Sequence, residues 1–203
     1  MAKLRKKRST YRISILAILT AIIVLQDFIP MLGNIPIGPL SLTTLHVTVI
    51  ITAIVLGPVD GAIVGGVWGV LTWIRAFAFP SSPLAPLVFV NPLVSVLPRI
   101  MIGLVAGWTF MALFKLFKHS LSSMVIAAIL GALTNTVLVL GFIYIFYHTP
   151  EVAKVYGVNV SNLFKALSAI FVTNGLAEML MAAIIAPLIA TPLRKVTQRQ
   201  QAS

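Results

Sequence analysis

Six apolar stretches, near residues 12–29, 43–57, 60–79, 94–117, 121–147 and 165–192, follow one another with only short connections. That pattern leaves lipid as the solvent for most of the chain, since a helix needs about 20 mostly apolar residues to cross a bilayer. Of the 203 residues, 59% are hydrophobic and 9% charged, and the mean hydropathy is +1.05. This is more apolar surface than a soluble domain of the same length buries. The expected fold is all-α: a polytopic membrane protein, a six-helix bundle forming one domain over residues 1–203, with a basic tail over 1–11 and a second tail over 193–203. No small-residue cleavage site follows the first stretch, which therefore reads as a retained span.

Cytoplasmic connections are enriched in Lys and Arg. Lys3, Arg5, Lys6, Lys7, Arg8 and Arg12 precede the first span, Lys115 and Lys118 lie between the fourth and fifth, and Arg194, Lys195 and Arg199 follow the sixth. Six spans put all of these on one side, so both termini are expected in the cytoplasm. Arg75, Arg99, Lys154 and Lys165 are left in the other half. The net charge of +11 is then a matter of topology and anionic headgroups, and no nucleic-acid partner is expected.

The same placement puts two proline-rich connections on the outer face, PMLGNIPIGPLSL and FPSSPLAPLVFVNPL. Both read either as lids over a cavity that opens outward or as short connectors of the bundle, and residues such as Leu84, Leu87, Val88 and Phe89, too apolar for a solvated loop, favour the lid. Gly57-Pro58-Val59-Asp60-Gly61 marks a tight turn between spans two and three. Gly57, Gly61, Gly65 and Gly69 recur at helical spacing, as do Ala182, Ala186 and Ala190. Both read as close helix packing. Ala17 and Ala21 have the same spacing, and from spacing alone they serve either internal packing or contact with a partner.

Polar side chains within apolar spans are costly unless satisfied, so they point to a site. Arg75, Arg99, Asn91 and Asn174 fall in the outer half of their segments, and Trp68, Asn135 and Glu178 lie nearer the middle. Together they form the candidate substrate pocket. Each arginine could instead be an interfacial anchor, and Glu178 could instead be half of an internal pair. Asp27 is also in a span, and His46 reads as a hydrogen-bonded packing residue.

Catalytic signatures are missing: there is no HExxH, no GK[ST] phosphate loop, no GxSxG and no cysteine. No catalytic residue, metal ligand or cofactor site is assigned, ATP has no place to bind, and a binding and transport role powered from elsewhere remains. An autonomous secondary carrier or channel is the competing class, although an inverted-repeat carrier should show related halves and none is seen.

The run IVLGPVDGAIVGGVWGVL, followed by SPLAPLVFVNPLVSVLPRI, together with AILTA in the first span and IPIGPLSLTTLHV after it, resembles the substrate-binding S components of energy-coupling factor transporters. The resemblance covers nearly the whole chain. It implies a six-helix vitamin-binding subunit in a bacterial plasma membrane, lidded by its first and third connections and working with a transmembrane coupling subunit and two ATPase subunits. In that family an AxxxA pair, here Ala17 and Ala21, packs on the coupling subunit. The SPLAPLVFVNPL segment is most like pantothenate subunits, with hydroxymethylpyrimidine and pyridoxine subunits as alternatives. Two arginines and three asparagines suit a ligand with a carboxylate, hydroxyls and an amide.

Overall fold

The computed structural model describes residues 2–29, 31–37, 40–80 and 82–202. The side chains of Lys3, Arg5, Lys6, Lys7, Arg8 and Arg199, read above as cytoplasmic charges, lie outside the described residues. Helix α1 (Ala2–Phe28) leads into an antiparallel hairpin of β1 (Asn34–Ile37) and β2 (Leu40–Thr43), followed by α2 (Leu45–Leu56) and α3 (Pro58–Ala78). Two short helices, α4 (Ala85–Val88) and α5 (Pro92–Ser95), precede α6 (Leu97–Phe117) and α7 (Ser120–Phe146). Then come α8 (Pro150–Val155), a 3-10 turn, α9 (Leu163–Ile170), a π-helical turn at Phe171–Gly175, and α10 (Leu176–Ala202).

Among the described residues, five helical segments are long and apolar enough to cross a membrane: Thr10–Phe28, Pro58–Ala78, Pro92–Phe117, Ser120–Phe146 and Val160–Thr197. The expected second span, 43–57, short already in the sequence, is the 12-residue helix α2, about 18 Å long against a hydrocarbon thickness of about 30 Å. Every residue from Leu45 to Ile54 is buried. A helix apolar on all sides is stable only when other helices surround it, and α2 is the centre of this bundle. The all-α expectation fails at one place, the hairpin, because Asn34 to Thr43 pair as strands where a connector or cap was expected.

Helices without a hydrophobic drive to associate in lipid must pack through small residues. Gly65 faces the Arg99 carbonyl, Gly69 faces Val96, Gly61 faces Gly103, and Gly107 faces Pro58. A methyl group at Gly65, Gly69, Gly103 or Gly107 would overlap backbone across the antiparallel α3–α6 crossing, and one at Gly61 would overlap Ala53 of α2. Ala182, Ala186 and Ala190 are buried in the same core as Ala127, Ala128 and Ala132 of α7. Gly57 takes φ 115°, a conformation that favours glycine, and so makes the expected turn into Pro58. Because Gly107 sits level with that turn, the last residues of α6, 108–117, run about 15 Å beyond it. The α2–α3 turn is therefore recessed at the end of the bundle that holds the termini.

At the opposite end, a second apolar cluster joins Leu84, Val88 and Val94 to Ile143, Val152, Leu163 and Leu167. It knits the connection after α3 to the one after α7. Trp73 adds a polar tie, its Nε1 donating to the Val90 carbonyl at 2.8 Å.

Candidate substrate pocket

Beneath this cap lies a cavity of about 190 Å³. Arg75, Arg99, Trp68, Asn135, Asn174 and Glu178 all line it. Asn91, the seventh candidate, does not. Its side chain accepts the Leu93 amide at 3.0 Å and caps α5, because an Asn followed by Pro at the first helical position is placed to satisfy an orphan amide.

The two arginines differ in their partners. Arg75, on α3, lies 3.1 Å from Asp27 Oδ1 of α1 and also donates to the Asp27 carbonyl. Arg99, on α6, is 6% exposed and, among the described residues, has no carboxylate within 4.0 Å. Its guanidinium lies between the rings of Trp68 (5.0 Å) and Phe89 (5.3 Å), and its Nη1 donates to the Val94 carbonyl at 2.8 Å. Aromatic faces stabilise a cation and hold its plane without consuming its donors. Arg99 is thus a positioned, dry cation whose Nε has no partner.

Glu178, in the first turn of α10, accepts the Thr43 amide at 3.0 Å and the Thr136 hydroxyl at 3.4 Å. This carboxylate therefore pins the hairpin to the bundle while facing the cavity. His46 Nε2 lies 3.4 Å from the Glu178 carbonyl, an oxygen that can only accept, so Nε2 carries the proton and His46 braces the same turn. The π-helical turn sets Gly175 against Thr136 and brings Asn174 to the cavity wall. Such turns widen a helix at functional sites.

Among the described residues, four buried polar atoms on the cavity wall have no partner: Asp27 Oδ2, Arg99 Nε, Asn135 Oδ1 and the Tyr156 hydroxyl. Each costs about 1–3 kcal/mol if it stays unsatisfied, so a polar ligand that met them would bind with a large differential. Burial pushes the Tyr156 phenol well above its ordinary pKa, so it remains a donor. Asp27, Thr43, Thr72, Thr136 and Tyr156 line the cavity outside the candidate set. Asp27 carried a signal, an acid in a span; Tyr156, in the connection after α7, carried none.

Ala17 and Ala21 do not line this cavity and are exposed on α1, beside Ile18 and Ile22, which are also exposed.

The family model for the substrate-specific component of ECF transporters matches residues 11–190. The pantothenate transporter PanT of Leuconostoc mesenteroides subsp. mesenteroides is 33% identical over 185 residues, covering 88% of this chain and 90% of that protein. The pantothenic acid transporter PanT of Lactococcus lactis subsp. cremoris is 32% identical over 203 residues, covering 94% and 97%.

Proposed function

The chain belongs to the substrate-specific components of ECF transporters, and from that premise we propose that it captures pantothenate for an importer powered by other subunits. Two relatives named as pantothenate transporters, similar along most of their length, support the choice of vitamin. The observation that carries the chemistry is Arg99, a buried guanidinium held between Trp68 and Phe89 with no carboxylate in contact among the described residues. It is assigned the ligand carboxylate, as a charge-assisted pair. Arg75 is the lesser candidate because Asp27 already engages it. The hydroxyls and amide N–H of the ligand are assigned to the acceptors Asp27 Oδ2, Asn135 Oδ1 and Glu178, and its amide carbonyl to Tyr156 or Asn174.

Membership of the family implies a coupling subunit and two ATPase subunits as partners. The exposed Ala17 and Ala21 of α1 are assigned to the coupling subunit, since small residues let a second helix approach closely. The topology that fits is a bacterial plasma membrane protein with both termini in the cytoplasm and α2 completing a six-helix bundle.

The test is direct. Purified chain should bind pantothenate in preference to hydroxymethylpyrimidine and pyridoxine, and in liposomes it should take up none without the coupling and ATPase subunits. Uptake by the chain alone would make it a secondary carrier, and preference for either other vitamin would reassign the ligand.

A further inference from the structure

The recess beneath the α2–α3 turn holds a second cavity, of about 230 Å³, lined by the last turn of α2, Phe110 and Met111 of α6, and Arg194 and Thr197 of α10. Arg194 is its one charged group. The guanidinium stacks over Phe110 (4.5 Å) and Phe114 (5.0 Å) and its Nη1 donates to Ser120 Oγ at 3.1 Å. Among the described residues no carboxylate lies within 4.0 Å of it. It is therefore held in place by neutral groups, with donors left over for an anion.

Three further observations say what kind of anion. Arg194 lies in the last turn of the apolar segment Val160–Thr197, at the end of the bundle that holds the termini, where a headgroup can reach it from the lipid. The cavity opens at Met111, which is 56% exposed, and Trp108, one turn away on the same helix face, is also 56% exposed, so an apolar track runs from the cavity along the lipid-facing side of α6. Finally, Pro58 has no N–H, so the Ile54 carbonyl on the cavity wall receives no helical donor from the residue four along and can accept from a hydroxyl. Cation, hydroxyl acceptor and apolar track match, in order, the phosphate, glycerol and acyl chain of one molecule.

We propose that this recess binds an anionic glycerophospholipid of the phosphatidylglycerol type, its phosphate on Arg194, its headgroup hydroxyl toward the end of α2 and an acyl chain along Met111 and Trp108. Basic sites between helices at a membrane boundary take such headgroups, and the pair of stacked rings, Phe110 and Phe114, on which the guanidinium rests keeps this one oriented. The site is separate from the vitamin cavity and does not depend on which vitamin is carried.

Detergent-washed full-length chain would be titrated with phosphatidylglycerol or phosphatidylcholine and bound lipid counted by native mass spectrometry. Phosphatidylglycerol should be retained about tenfold better. Arg194→Gln should remove that preference, Arg194→Lys should keep part of it, and Lys195→Gln, an exposed neighbour on the same helix, should leave it intact. Gel-filtration profile and melting temperature identify any variant that has not folded, and the Lys variant serves if the Gln variant has not. Equal retention of the two lipids, or equal loss in Lys195→Gln, would show surface charge and no site. Displacement of the lipid by millimolar inorganic phosphate would make this a free-anion site and overturn the proposal.

Discussion

Arg12 and Asp60 form a two-point ion pair between α1 and α3, Nε to Oδ2 at 2.6 Å and Nη2 to Oδ1 at 2.7 Å. Asp27 and Arg75 repeat the pairing between the same helices with the signs exchanged, and in both cases the partners are 48 residues apart in sequence. A constant offset means that α1 and α3 run parallel and in register, fastened at residues 12 and 27 on one and 60 and 75 on the other, about 22 Å apart. Much of the rest of α1 is exposed. Two ion pairs, with Leu19 and Ile23 buried between them, therefore set its rotation, which fixes where Ala17 and Ala21 point and places Asp27 in the vitamin cavity.

Breaking the first pair should loosen α1 without emptying the pocket. Arg12 is 56% exposed but Asp60 only 2%, so the main cost of Arg12→Gln is a buried carboxylate left without donors, about 1–3 kcal/mol and toward the low end because water reaches the arginine. The double variant Arg12→Gln/Asp60→Asn should recover part of that loss, a non-additivity readable from thermal unfolding of the four proteins. Strict additivity would mean that the two residues do not act as a pair.

Bulk on the exposed face of α1 should separate capture from delivery. With Ala17→Trp or Ala21→Trp, the purified chain should bind vitamin with wild-type affinity, because neither residue is buried in the bundle. Uptake by the complex with its coupling and ATPase subunits should be lost. A drop in affinity of the isolated variants would return these alanines to internal packing.

The connection after α3 should become more protected when ligand is present. Leu84 and Val88 already pack in the cap cluster, and Ser82 to Ala85 and Phe89 line the cavity, so a bound molecule adds contacts on the inner side of this segment. Hydrogen exchange in peptides spanning 79–93 should slow on saturation with pantothenate. Trp73→Phe, which removes the donor to Val90, should speed exchange in the free protein. Unchanged exchange on ligand addition would mean the segment is a fixed wall.

Much of this architecture is legible from residue spacing. The glycines of α3 and the alanines of α10 lie at the closest helix crossings, where small-residue periodicity placed them, and six of the seven polar candidates reach one cavity. What was not legible depends on pairing between distant segments. The run from Asn34 to Thr43 contains Pro and Gly and reads as a connector, yet its strands pair and Glu178, 135 residues on, takes the Thr43 amide. Of the residues that hydropathy assigned to the second span, the hairpin takes Thr43. Asn91 caps α5 and does not line the cavity; polarity alone points to a pocket, whereas Asn-Pro at a helix start is a capping signal. Tyr156 could not be found, since nothing local sets a tyrosine in a connection apart from any other.

The central claim, that a ligand carboxylate is held by Arg99, is tested most directly by the acid-over-alcohol preference of the purified chain. Pantothenate and the analogue in which an alcohol replaces its carboxylate differ only at the group assigned to that guanidinium. Arg75→Gln would also strip Asp27 of its partner and so confuse the result, whereas Arg99 has no carboxylate in contact to disturb. Losing a buried charge-assisted pair costs about 2–5 kcal/mol, or roughly 30-fold or more in affinity. Wild-type chain should therefore bind the acid at least about 30-fold more tightly than the alcohol, and in Arg99→Gln the two should bind alike. If the wild-type chain binds the alcohol as tightly as the acid, or if Arg99→Gln keeps the full preference, the assignment is wrong.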